Sequence, residues 1–263
     1  MNLRNTTKPS SKKIPNSSAE KSPRARSIAS KLFAIVFWVS LWEFAASHTP
    51  LLPRPEAVFL RLLKLFATGE TYAVLLRSVV PIYGGFLIAV VLGTALATVA
   101  FFVPFWRETI GVAVSFFRTI PVAGLTILLV IFASSRILPW IVVVGMLFPI
   151  FYEASLGGLA AADARELEMA RLYHFHPRAI FLHIRVPRLL DYLAVAAKTS
   201  MGIAWKAAVA AEVIAMTRGG FGEELYYAKL TLDTEELFAW IFALILFAKL
   251  SEIIVSRAFR RSQ

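Results

Sequence analysis

The sequence predicts an all-α membrane protein with about six transmembrane helices, and three observations carry that reading. Of its 263 residues, 58% are apolar and 17% are charged, whereas soluble domains run roughly 45–50% apolar with about a quarter charged. A soluble domain this apolar would leave its excess in water, which excludes an ordinary soluble enzyme. Apolar runs also recur at about the 20-residue length that spans a bilayer core, and six of them fit this chain as one membrane domain. Finally, the formal charge of +11 is gathered by segment, so it reads as topology and not as nucleic-acid binding. Cysteine is absent, which removes disulfides, thiolate metal sites and cysteine nucleophiles.

Taken in order, residues 1–31 hold Arg4, Lys8, Lys12, Lys13, Lys21, Arg24, Arg26 and Lys31 against Glu20 alone. With so little apolar surface to offset ordering entropy, this tail is expected to be disordered. Positive charge beside a first span keeps it cytoplasmic. The transmembrane domain then covers 32–259. Its first run, Leu32 to Ser47, follows a tail longer than a signal peptide's basic region, so it is expected as an uncleaved helix. Further runs fall at about 75–103, 109–133, 138–160, 188–215 and 237–256. In the second, Gly85, Ala89, Gly93 and Ala97 form a ridge of small residues that lets a neighbouring backbone approach closely.

The segments between the runs set the orientation. The 216–236 loop is acidic, with Arg218 and Lys229 against Glu223, Glu224, Asp233, Glu235 and Glu236, and is expected outside. Segment 161–190 carries Arg165, Arg171, Arg178, Arg185 and Arg188 and is expected inside, as is the end with Arg257, Arg260 and Arg261. Lysine and arginine in short loops decide this. Both termini are therefore expected in the cytoplasm.

Segment 161–190 is too charged to span and too apolar for a plain loop. Asp163 to Phe175 reads as a short helix with Ala164, Leu167, Ala170 or Arg171, and His174 on one face, and Glu168 placed to pair with Arg171. Pro177 pushes His176 out of the helical region and ends it. A second amphipathic piece, Arg178 to Arg185, is expected to stop at Pro187, which also suits the first turn of the next span. Two short helices at a proline corner make a knob for a partner's groove.

Here the sequence EMARLYHFHPRAIFLHIRVP resembles the cytoplasmic signature of binding-protein-dependent ABC importer permeases: Glu-Ala-Ala, a short gap, Gly, a longer gap, then Ile-x-Leu-Pro. Glu168, Ala170, Ile184 and Pro187 match; Met169 replaces an Ala, Val186 the Leu, and His174 the Gly. The likeness extends to LLPRPEAV at 51–58, SVVPIYGGF at 78–86 (with Pro81 for an Arg), RTIPVAGL at 118–125 (with Thr119 for a Pro), AWKAAVAAEVIA at 204–215 and GGFGEEL at 219–225. Together these are similar to the nitrate/sulfonate/taurine branch. The resemblance implies a type I importer permease fold with a coupling segment at about 161–187. Its ATPase-docking residues would be Glu168, Met169, Ala170, His174, Pro177, Ile184 and Pro187. It also implies a permease homodimer in the bacterial inner membrane, a dimer of ATPase subunits, and a periplasmic or lipid-anchored solute-binding protein. The solute would be a small anion such as a sulfonate or nitrate, or alternatively a vitamin precursor of pyrimidine or flavin type. No cofactor is expected in this chain, and ATP and Mg would belong to the ATPase.

The residues bear on those alternatives directly. No GxxxxGK[ST] occurs, so the chain has no P-loop, and GGFGEEL reads as a turn. His174, His176 and His183 cluster without a carboxylate or cysteine to complete a metal set, and read as a docking surface. Ionisable groups inside spans default to function or pairing. Arg118, near the middle of the third run beside the helix-breaking Pro121, is expected either to attract an anion or to pair with Glu43 or Glu212. Trp205 and Glu212 join Arg118 and Pro121 as pathway candidates, with Phe116 and Phe117 as further aromatics and Lys206 unassigned. A membrane-embedded enzyme would need a clustered catalytic set, and a self-sufficient transporter would favour inverted repeats; the sequence offers neither.

Overall fold

The computed structural model describes residues 23–260. Two units are distinguished, residues 1–49 and 50–263. In the first, helix α1 runs Pro23–His48, nine residues ahead of the expected span, so residues 23–31 of the expected tail are helical; the rest of that tail lies outside the described residues. At its end the Ser47 hydroxyl donates to the Phe44 carbonyl at 2.7 Å.

The second unit is a bundle of long helices. Helix α2 (Pro55–Ala67) opens with proline at its first turn, where a missing N–H costs nothing. Then come α3 (Gly69–Phe102), α4 (Pro104–Thr119), α5 (Val122–Val130) and α6 (Leu138–Ala160). Pro81 in α3 and Pro149 in α6 are accommodated without ending either helix, as neighbouring elements permit in membranes. The small-residue ridge of α3 lies against α6. A Cβ on Gly93 would stand 2.8 Å from the Phe151 Cβ, and one on Gly85 would stand 2.8 Å from Val143. Ala89 and Ala97 are fully buried. Close backbone approach is thus the ridge's purpose.

The third apolar run is not one straight span. Pro121 cannot donate and holds Ile120 extended, so α4 and α5 meet at 99°.

Helix α7 (Ala164–Leu172) is capped by Asp163, whose carboxylate accepts from the Arg165 N–H at 2.9 Å. Helix α8 (Pro177–Ile180) is capped by the His176 ring. The expected stop at Pro187 does not occur. A π-helical turn, Phe181–Arg185, carries α8 without interruption into α9 (Val186–Ala215). The wider turn accepts the proline, whose ring and missing N–H would disrupt a regular α-helical turn.

Helix α9 packs against α3, α5, α6, α10 and α11. The 216–236 segment, expected as a loop, contains α10 (Phe221–Leu230), and α11 (Thr234–Arg260) follows. Among the described residues, four helices are long and apolar enough to cross a membrane (within α1, α3, α6 and α11), and the bent α4–α5 pair makes a fifth. Helix α9 has 30 residues, about 45 Å at 1.5 Å per residue, but carries Arg188, Asp191, Lys198, Lys206 and Glu212. Of these Glu212 is buried among the neighbouring helices, whereas Arg188, Lys198 and Lys206 lie on the side left exposed.

Candidate functional site

Three places in the bundle bring chemistry-bearing residues together. The first is the knob formed by α7 and α8. Phe175 N–H donates to the Ala170 carbonyl at 2.9 Å and His174 N–H to that of Arg171 at 3.0 Å, which is a Schellman end with His174 in its left-handed position at φ 54°. The turn that the family builds on glycine is therefore kept, with histidine bearing the strain.

Ala170 is buried beneath α7, so it positions the helix and is not a contact surface. Glu168 and Pro187 are exposed, and Ile184 is half-buried; no Glu168–Arg171 pair forms among the described residues. Around them Met169, Leu172, Tyr173 and Phe175 stand exposed, Leu172 at 74%. Sequence reasoning missed the last three because they lie off the face that the helical period selects. The knob is tied to the bundle by Arg188–Glu166 at 3.2 Å. Arg185 donates to the Leu159 carbonyl and lies over the Phe101 ring at 4.7 Å.

The second place is midway along the bundle. Arg118 pairs with Glu153 of α6 at 2.6 Å, both side chains being exposed. This corrects the expected partner. Glu153 escaped the sequence reading, although a lone carboxylate inside an apolar run is itself a signal. Phe117 packs edge-on against Phe148, and Phe116 is exposed. Trp205 is not a pathway residue. It is 1% exposed, its indole N–H donates to the Ser251 hydroxyl at 3.0 Å, and its ring joins Phe221 and Phe247. Lys206, its neighbour, points the other way. It is exposed, shares a face of α9 with Thr199 and Gly202, and makes no ion pair among the described residues.

The third place is at the end of the bundle away from the knob, because α3 and α6 start there and α9 ends there. Glu212, 1% exposed, accepts from the Ser78 hydroxyl at 2.9 Å and the Gly222 N–H at 3.0 Å, and Phe221 N–H donates to Ser78 at 3.0 Å. GGFGEEL is thus a wrap around a carboxylate: a Cβ on Gly222 would lie 2.3 Å from that of Glu212. Beside it lies a pocket of about 650 Å³, lined by Arg77, Trp140, Arg136, Glu212 and Arg218 among others.

Comparisons with known proteins agree on the kind of molecule this is. Residues 89–262 match the family described as binding-protein-dependent transport system inner membrane component. A Bacillus subtilis (strain 168) permease named for aliphatic sulfonates transport, SsuC, is 25% identical over 84% of this chain and 80% of its own. Its Escherichia coli (strain K12) namesake is 27% identical over 82% and 83%. Among solved structures, an inward-facing conformation of the MetNI methionine ABC transporter matches with a TM-score of 0.55 and 18% identity, covering 76% of this chain and 97% of that one. That likeness speaks for the fold.

Proposed function

This chain belongs to the family of binding-protein-dependent transport system inner membrane components, and from that premise we propose that it imports a small organic anion, a sulfonate above all. The chain is a multi-pass permease subunit of an ABC importer. The anion reading is carried by Lys206. A cation within a span costs roughly 2.5–3.5 kcal/mol against lipid, and here it sits with Thr199 and Gly202 on the open face of an otherwise covered helix. Such a face suits a polar pathway between two permease copies. Arg118, whose charge Glu153 neutralises, is the weaker attractor. The sulfonate-named relatives support the same substrate class.

The remaining machinery follows from the same premise. The apolar tip at Met169, Leu172, Tyr173 and Phe175 docks in a groove of an ATPase subunit, which binds ATP and Mg. A solute-binding protein delivers the anion at the opposite end, the complex sits in the inner membrane, and both termini are cytoplasmic. ATP-driven closure moves the knobs, and their ties through Arg185 and Arg188 carry the motion into α6 and α9. The ATPase can drive this only by binding one permease state better than the other.

Reconstitution with the partner ATPase and solute-binding protein tests the reading. Ethanesulfonate should accumulate with ATP, and Lys206→Gln should slow its uptake about tenfold, the effect of losing roughly 1.4 kcal/mol of attraction. A partner that binds neutral or cationic heterocycles and ignores sulfonates would show the anion reading to be wrong.

A further inference from the structure

We infer that the pocket beside Glu212 is an oxyanion site of the permease itself, receiving the sulfonate group at the end of the bundle opposite the knob. Arg77, Arg136 and Arg218 arrive from three separate elements, namely α3, the α5–α6 loop and the α9–α10 loop, and line one cavity. None of the three makes an ion pair among the described residues. Glu212 is the lining carboxylate, and its oxygen Oε2 is taken up by Ser78 and Gly222. The nearby Glu223 accepts from the Gly219 N–H.

The pocket therefore holds an excess of positive charge on three exposed arginines, which attracts an incoming anion. Planar guanidinium groups suit the paired oxygens of a sulfonate, which a point-charge ammonium does not match. The volume of about 650 Å³ lies within the range of small-molecule sites.

The local backbone is built around this arrangement. Gly219 has φ 80°, and a Cβ there would collide with the Arg77 guanidinium and its Cδ, so glycine both makes the turn and leaves room for Arg77. Thr217 donates from its hydroxyl to the Ser135 carbonyl at 2.9 Å, joining the loops that bear Arg218 and Arg136.

This inference rests on the anion reading above but fails separately from it. Trp140 lines the pocket and reports occupancy. In the purified full chain, ethanesulfonate should quench tryptophan fluorescence, and Trp140→Phe should remove that signal. Arg77→Gln and Arg218→Gln should each weaken binding about tenfold, with Arg77→Lys retaining part of it because charge survives without the planar fork. Added salt should weaken binding as well. Absence of ethanesulfonate binding to the isolated chain would overturn the site, even if the complete importer still takes up sulfonate. Arginine variants that lose recruitment of the solute-binding protein while binding ethanesulfonate normally would also overturn it, because the arginines would then be a protein-docking rim.

Discussion

Glu212 sits where a carboxylate is least welcome, and two donors on two other segments make it tolerable. Removing it takes the acceptor from both the buried Ser78 hydroxyl and the buried Gly222 N–H, at about 1–3 kcal/mol for each group left unsatisfied. Glu212→Ala should therefore lower the thermal unfolding temperature of the detergent-solubilised protein far more than Glu212→Gln, which keeps an acceptor in place. Glu224 in α10 lies in the opposite situation. Burial, helped by Glu236, Glu223 and Glu70, raises its pKa. A carboxylate raised in the folded state destabilises that state above its folded pKa, and the penalty disappears as pH falls through it to the ordinary carboxylate range. Glu224→Gln should thus stabilise the protein at pH 7, with a gain that shrinks as pH falls through that window and is gone below it. A gain that stays constant with pH would count against burial as its cause.

The knob is the element in which sequence and structure agree on position but differ on detail. Asp163, Pro177 and the likeness of EMARLYHFHPRAIFLHIRVP to the family signature were readable in one dimension, because caps and proline act locally. The direction of each side chain was not. Ala170 turns inward, whereas Leu172 and Tyr173 at the strained end of α7 turn outward. Leu172→Ala with Tyr173→Ala, and separately Glu168→Lys, should leave the permease inserted in membranes but reduce ATPase recovery in a pull-down. Ala170→Asp, which buries a charge, should instead loosen α7 itself and be seen as faster hydrogen exchange across residues 164–175. Full ATPase recovery with all three surface changes would exclude docking at this tip.

At the scale of the whole molecule, the proposed orientation with both ends in the cytoplasm rests on the charge asymmetry of the loops. The cysteine-free chain allows single cysteines at Ser10, Thr231 and Ser262, and a membrane-impermeant thiol reagent should label only Thr231→Cys in intact cells; labelling at Ser10→Cys would refute the orientation. The sequence by itself determined the membrane class, five of the apolar spans, the small-residue ridge and the place of the two short helices after α6, because length, period and local breakers are one-dimensional quantities. Only the tertiary structure decided which charges meet. Arg118 met Glu153, Ser78 met Glu212 across 134 positions, Trp205 turned into the core while Lys206 beside it turned out, and Arg77, Arg136 and Arg218 gathered at one pocket. Helix α9 could carry Glu212 inside the bundle because Ser78 and Gly222 meet it there, whereas Lys198 and Lys206 stand on the side that its neighbours leave open. A residue's solvent inside a membrane protein is set by its neighbours in space, and no window along the chain contains them.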